Sequence, residues 1–115
     1  MLAADVVVGW VTAGLAYGLW PDADALDDDV LTAVLEAAHD QCVAYLDESD
    51  VDTDPDPVPS RWQLAQVSQA RAVWRAMRST RDNQAGAEAL GVTVFPMDWT
   101  VQQLLVPKRR KPTFA

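Results

Sequence analysis

Residues 29–46, DVLTAVLEAAHDQCVAYL, decide the fold. Leu31, Val34, Leu35, Ala38, Cys42, Tyr45 and Leu46 recur at helical spacing and draw one apolar stripe, with Glu36 and Asp40 toward the other side. A stripe of that length needs a partner. A second helix is predicted from Ser60 to Arg78 or Thr80, with Leu64, Val67, Ala70, Trp74 and Met77 on one face and Ser60 and Gln63 in a capping-box pattern. Between the two, residues 47–59 (DESDVDTDPDPVP) are acidic, proline-rich and free of apolar period, which predicts an exposed loop. That loop is too long for a tight hairpin, yet the facing stripes favour antiparallel packing. Each fully buried Leu or Val contributes about 1.5–3 kcal/mol, so the pair forms the core. The expected fold is mainly α: a small helical bundle with two long antiparallel helices, short flanking helices, minor β and extended terminal arms.

Toward the N-terminus, residues 6–11 are β-prone, and Thr12 is placed to cap a brief helix over 13–19. That helix ends at Trp20-Pro21, because proline disfavours helical geometry in the residue before it. Residues 22–28 read as a loop whose acidic end suits the dipole of the helix that follows. The apolar stretch 6–20 superficially resembles a signal segment. It lacks a basic leader, carries Asp5 before it, and is interrupted by Gly9, Thr12, Gly14 and Gly18, so it is expected to be folded structure. Toward the C-terminus, residues 82–91 read as a loop with room for one helical turn and residues 92–95 as a short strand. Asp98 is placed to cap a last helix over 99–105. The predicted organisation is a helical domain over residues 1–106 and an extended basic arm over 107–115.

With 115 residues, half of them apolar, the chain makes one domain with arms. A domain of this size buries about two-thirds of its unfolded surface and gains from large neighbour contacts. Five tryptophans are many for the length, and tryptophan is enriched at interface hot spots. Charge is segregated. The formal net charge is -8, and 13 of the 17 acidic residues lie between Asp22 and Asp56. Five arginines fall between Arg61 and Arg81, and the remaining cations are Lys108, Arg109, Arg110 and Lys111. An acidic body argues against gripping duplex DNA through its phosphates, which needs clustered cations. Cys42 is the single cysteine, which excludes an intrachain disulfide and suits a reducing compartment. No stretch of about 20 apolar residues predicts a membrane span.

Few residues suggest reaction chemistry. His39 and Cys42 stand three apart on one helix, a spacing that suits two metal ligands, but a tetrahedral zinc site needs more. Cys42 on the apolar stripe reads more simply as a small buried hydrophobe. No serine sits in a nucleophile-elbow sequence and no glycine-rich phosphate loop is present, so no catalytic residue, metal or cofactor is expected. Arg71, Arg75 and Arg78 make a basic stripe on the second long helix. It reads either as a solvated face or as a contact with the acidic face of a neighbouring copy, selecting register and partner more than adding stability. Trp99 joins these arginines as an expected inter-subunit contact. The arm holds Pro107, Lys108, Arg109, Arg110 and Lys111, with Phe114 as an apolar plug behind the charges. A plug with charges suits a groove on a protein partner; a localisation signal, a nucleic-acid contact and a merely solubilising tail are the alternatives.

The order of these pieces resembles a known family. The segments are Trp10-Val11-Thr12, Trp20-Pro21-Asp22-Ala23 and Gln41-Cys42-Val43-Ala44-Tyr45, followed by Pro59-Ser60-Arg61-Trp62-Gln63-Leu64-Ala65-Gln66-Val67 and Gln69-Ala70-Arg71-Ala72-Val73-Trp74. Phe95-Pro96-Met97-Asp98-Trp99-Thr100-Val101, Leu104-Leu105 and the basic tail complete the set. Together they look like the head-to-tail connector, or adaptor, proteins of long-tailed bacteriophages, over nearly the whole chain; the unusually acidic loop over 47–59 departs from the pattern. The resemblance implies a helical subunit of a dodecameric ring at the head-tail junction of the virion, made in the host cytoplasm. Its partners would be the portal protein, here through Pro107, Lys108, Arg109, Arg110, Lys111 and Phe114, and the next connector or tail protein. Genomic DNA would pass through the lumen without specific binding, and no membrane is involved. Two other functions fit the residues: an acidic regulator that mimics DNA with its carboxylates, and a small enzyme subunit or metal protein using His39.

Overall fold

The two apolar stripes meet, as their spacing predicts. A computed structural model describes residues 1–47, 51–82 and 98–106, without the side chains of 79–82. In chain order the described elements are β1 (Val7–Val8), β2 (Val11–Thr12), α1 (Ala13–Leu19), a 3-10 helix (Pro21–Ala25), α2 (Asp28–Asp47), α3 (Ser60–Asp82) and α4 (Trp99–Leu105). The chain is mainly helical, with α2 and α3 antiparallel at its centre. Of the loop expected over 82–91, Asp82 instead ends α3, which runs past the predicted Arg78 or Thr80; residues 83–91 and the strand expected over 92–95 lie outside the described residues.

Local chemistry sets the short elements. Residues 6–11 do not make one strand. They turn back on themselves at Gly9-Trp10, pairing Val7 with Thr12 and Val8 with Val11 in an antiparallel hairpin. Gly9 has φ +62, and a Cβ there would stand 2.6 Å from His39 Cγ, so both backbone and space demand glycine. Thr12 caps α1 by accepting a hydrogen bond from Leu15 N at 3.2 Å, and α1 stops at Trp20 before Pro21. Part of the expected loop after it winds into the 3-10 helix, with Pro21 supplying the fixed φ of its first position. Asp98 caps α4, accepting from Thr100 N at 3.4 Å.

The core divides in two along the α2–α3 pair. One half gathers Leu31, Val34, Leu35 and Ala38 of α2 against Val67, Ala70, Val73 and Met77 of α3, closed by Val8, Val11 and Trp20. The other gathers Cys42 and Leu46 against Trp62 and Ala65, closed by Trp10 and by Val101 and Leu105 of α4. Trp10 and Trp62 stack with ring centroids 4.9 Å apart, and Trp10 meets the His39 ring edge-on at 4.7 Å.

Helix α3 departs from its predicted face. Leu64 is 40% exposed, while Gln66 and Gln69 are fully buried. The reason lies in the hairpin, whose backbone groups face α3 and need partners. Gln66 Oε1 accepts from Trp10 N at 2.9 Å, and its Nε2 donates to the carbonyls of Val8 at 3.0 Å and Leu35 at 3.1 Å. Gln63 Nε2 donates to the Trp10 carbonyl at 2.9 Å instead of closing a capping box. Pro59 takes the cap position, its carbonyl accepting from Gln63 N at 3.3 Å, and Ser60 falls in the first turn.

Candidate functional site

Helix α3 is enclosed on most sides, and the strip left open carries its charge. Arg61, Leu64, Ser68, Arg71, Arg75 and Arg78 follow one another at alternating intervals of three and four, which keeps them on one line of the helix. All but the half-buried Ser68 are exposed. Arg71, Arg75 and Arg78 form a ridge between two hollows. On one side, a groove of about 310 Å³ is walled by Trp20, Leu26 and Trp74 with the three arginines along its rim. On the other, a shallower hollow of about 180 Å³ separates Arg71 and Arg75 from Asp98, Thr100 and Val101 at the start of α4. The Arg78 guanidinium lies 5.9 Å from the centroid of the Trp74 ring, at the outer reach of a cation–π contact.

These guanidiniums stand in a chain rich in carboxylates, yet none of the three makes an ion pair among the described residues. Among the described residues, an ion pair joins the Met1 ammonium to Asp28 at 3.0 Å. Asp22 lines the groove without closing on an arginine. The three guanidinium-bearing residues are exposed, and beside them Trp74 is half-buried and Trp20 buried. Such a surface suits an anionic segment that lies along the ridge.

The described part of the segment between α2 and α3, residues 51–59, is tied to the body, which its composition does not predict. Trp10 Nε1 donates to the Thr53 carbonyl at 3.1 Å, and Val51 and Val58 pack on the second half of the core. Asp52 Oδ1 accepts from Asp54 N at 3.0 Å. Exposure alternates here: Val51, Thr53 and Pro55 are half-buried, while Asp52, Asp54 and Asp56 face solvent. The result is a short ladder of carboxylates on a pinned backbone. Its signal was present in the alternation D-V-D-T-D-P-D over residues 50–56, which strand-like periodicity would have read.

The other candidate residues fall elsewhere. Trp99 is 61% exposed at the first turn of α4, apart from the arginine ridge's groove. Pro107, Lys108, Arg109, Arg110, Lys111 and Phe114 lie outside the described residues. Cys42 is fully buried, and burial alone pushes its thiol up to about 12, so it stays protonated. His39 is held between Gly9 and Trp10. No described helix is long and apolar enough to cross a membrane. Compared with known proteins, the chain matches no family model, no curated protein and no solved structure, and its site is read from its own chemistry.

Proposed function

We propose that this chain is a structural subunit of the head-to-tail connector of a long-tailed bacteriophage, closing into a ring that docks on the portal through its basic C-terminal arm. The next connector or tail protein is its other partner, and the acidic surface of the ring repels the genome's phosphates so that DNA slides through without adhering. The observation that carries this reading is the anchorage of the arm's root. Trp62 Nε1 donates to the Leu105 carbonyl at 3.0 Å, and both side chains are buried, at 4% and 1% exposure. The last described turn before the arm is therefore fastened to the body. A tether with a fixed root loses less freedom on docking than one hung from a loose end, and copies around a ring add their weak contacts through effective concentration.

Deletion of residues 108–115 is expected to abolish capture by portal rings, measured by co-sedimentation, while circular dichroism shows an unchanged helical fold. Normal capture by the truncated protein would overturn the reading. The pinned carboxylate ladder favours a second reading, a regulator that mimics DNA. Such a protein would bind a DNA-binding enzyme and be displaced by duplex DNA, which a connector subunit is not.

A further inference from the structure

We infer that the arginine ridge of α3 receives the carboxylate ladder, Asp52, Asp54 and Asp56, of a second copy of this chain, in a head-to-tail contact. This deepens the connector reading and rests on it for the requirement that one contact repeat around a ring. Arg71, Arg75 and Arg78 are exposed and make no ion pair among the described residues, in a chain whose net charge is -8. Copies of so acidic a body repel one another over most of it, and this ridge is where the described surface can instead attract a neighbour's carboxylates.

Spacing points to the ladder as the occupant. Along α3, seven residues separate Arg71 from Arg78, about 10 Å at 1.5 Å per residue. Along the loop, four residues separate Asp52 from Asp56, at most about 14 Å of chain. Three anions thus face three cations over similar lengths. The ladder is already held by Trp10, Val51 and Val58, so its charges are ordered before contact. The acidic run at Asp27, Asp28 and Asp29 is the weaker candidate. Asp28 is engaged by the Met1 ammonium, and the run lies beside the groove on its own subunit.

Geometry makes the contact intermolecular. The ladder sits at the start of α3, whereas Arg71 to Arg78 lie 11 to 18 residues beyond Ser60, about 16–27 Å along the helix. One subunit's ladder therefore does not reach its own ridge. A contact that joins two different patches is heterologous, and it propagates until it closes.

Paired charge reversal tests this. Wild type, R71E/R75E/R78E and D52K/D54K/D56K are compared by sedimentation velocity across ionic strength. Wild type is expected to associate at low salt and to dissociate as salt screens the contact. Each variant alone is expected to bind itself at least about a hundredfold more weakly, and an equimolar mixture of the two is expected to regain association. Circular dichroism confirms that both variants are folded. A wild type that stays monomeric at every salt concentration overturns the inference. So does undiminished association of the arginine variant, or a mixture that stays monomeric. Loss with the arginine variant but not the ladder variant also overturns it, and loss with D27K/D29K then assigns the contact to the other acidic run. Portal capture is not a readout here, so a failure of docking through the arm bears on the connector reading alone.

Discussion

Gln66 and Gln69 sit one turn apart on α3, both fully buried, and their consequences differ. Gln66 satisfies three backbone groups, on Trp10, Val8 and Leu35. Gln66→Met leaves them without that partner in a closed interior, and a loss of about 3 kcal/mol or more in urea unfolding is expected. Gln69 donates to Gln41 Oε1 while its own Oε1 has no partner among the described residues. Gln69→Met removes an unsatisfied acceptor and strands only a half-buried Gln41, so stability should remain within about 1 kcal/mol of wild type. Cys42 supplies a pH dependence with a definite sign. Its thiol titrates at 9.0 in the unfolded reference and is pushed to about 12 by burial in the fold. Below pH 9 the stabilisation is fully present. As pH rises toward 12 the unfolded chain releases the proton that the folded one keeps, and stability falls. Thermal midpoints measured across this range should decline less steeply for Cys42→Ala than for wild type.

At the scale of elements, α4 is the instructive case. It has only seven residues, too few for a helix to persist alone in water, so tertiary contact must hold it. Val101 and Leu105 seat it in the second half of the core, and the Trp62 indole fastens its last carbonyl. Trp62→Phe keeps an aromatic ring and removes the donor. A loss of about 1–3 kcal/mol is expected, together with faster amide exchange across residues 99–105 than across α2. Equal protection of both helices in the variant would show that apolar packing alone holds the arm's root. The loop between α2 and α3 makes the same point: proline and carboxylates set its exposure, and Trp10 sets its shape.

For the whole molecule, the central question is which surfaces serve the body and which are left over for partners. Truncation after Pro107 should leave the thermal midpoint unchanged, because Val101, Leu105 and Val106, which seat the end of the described body in the core, are all retained, and should remove portal capture. The connector reading and the head-to-tail contact both depend on charge kept apart: an acidic ladder at one end of α3, an arginine ridge along the rest. Much of this body was legible from spacing. The α2 stripe, the Thr12 and Asp98 caps, the stop at Pro21 and the start of α3 near Ser60 are local matters, decided by apolar period, capping oxygens and proline within a few residues of one another. The hairpin, the inward turn of Gln66 and Gln69, the exposure of Leu64 and the fastening of the ladder's backbone by Trp10 were not legible, although the ladder's own alternation was. Each depends on groups far apart in the chain, such as Gln66 with Trp10 or Trp10 with Thr53. A periodic pattern names the face that avoids water. Only the assembled fold shows which buried backbone groups need a polar partner, and therefore which glutamines turn inward and which arginines remain outside.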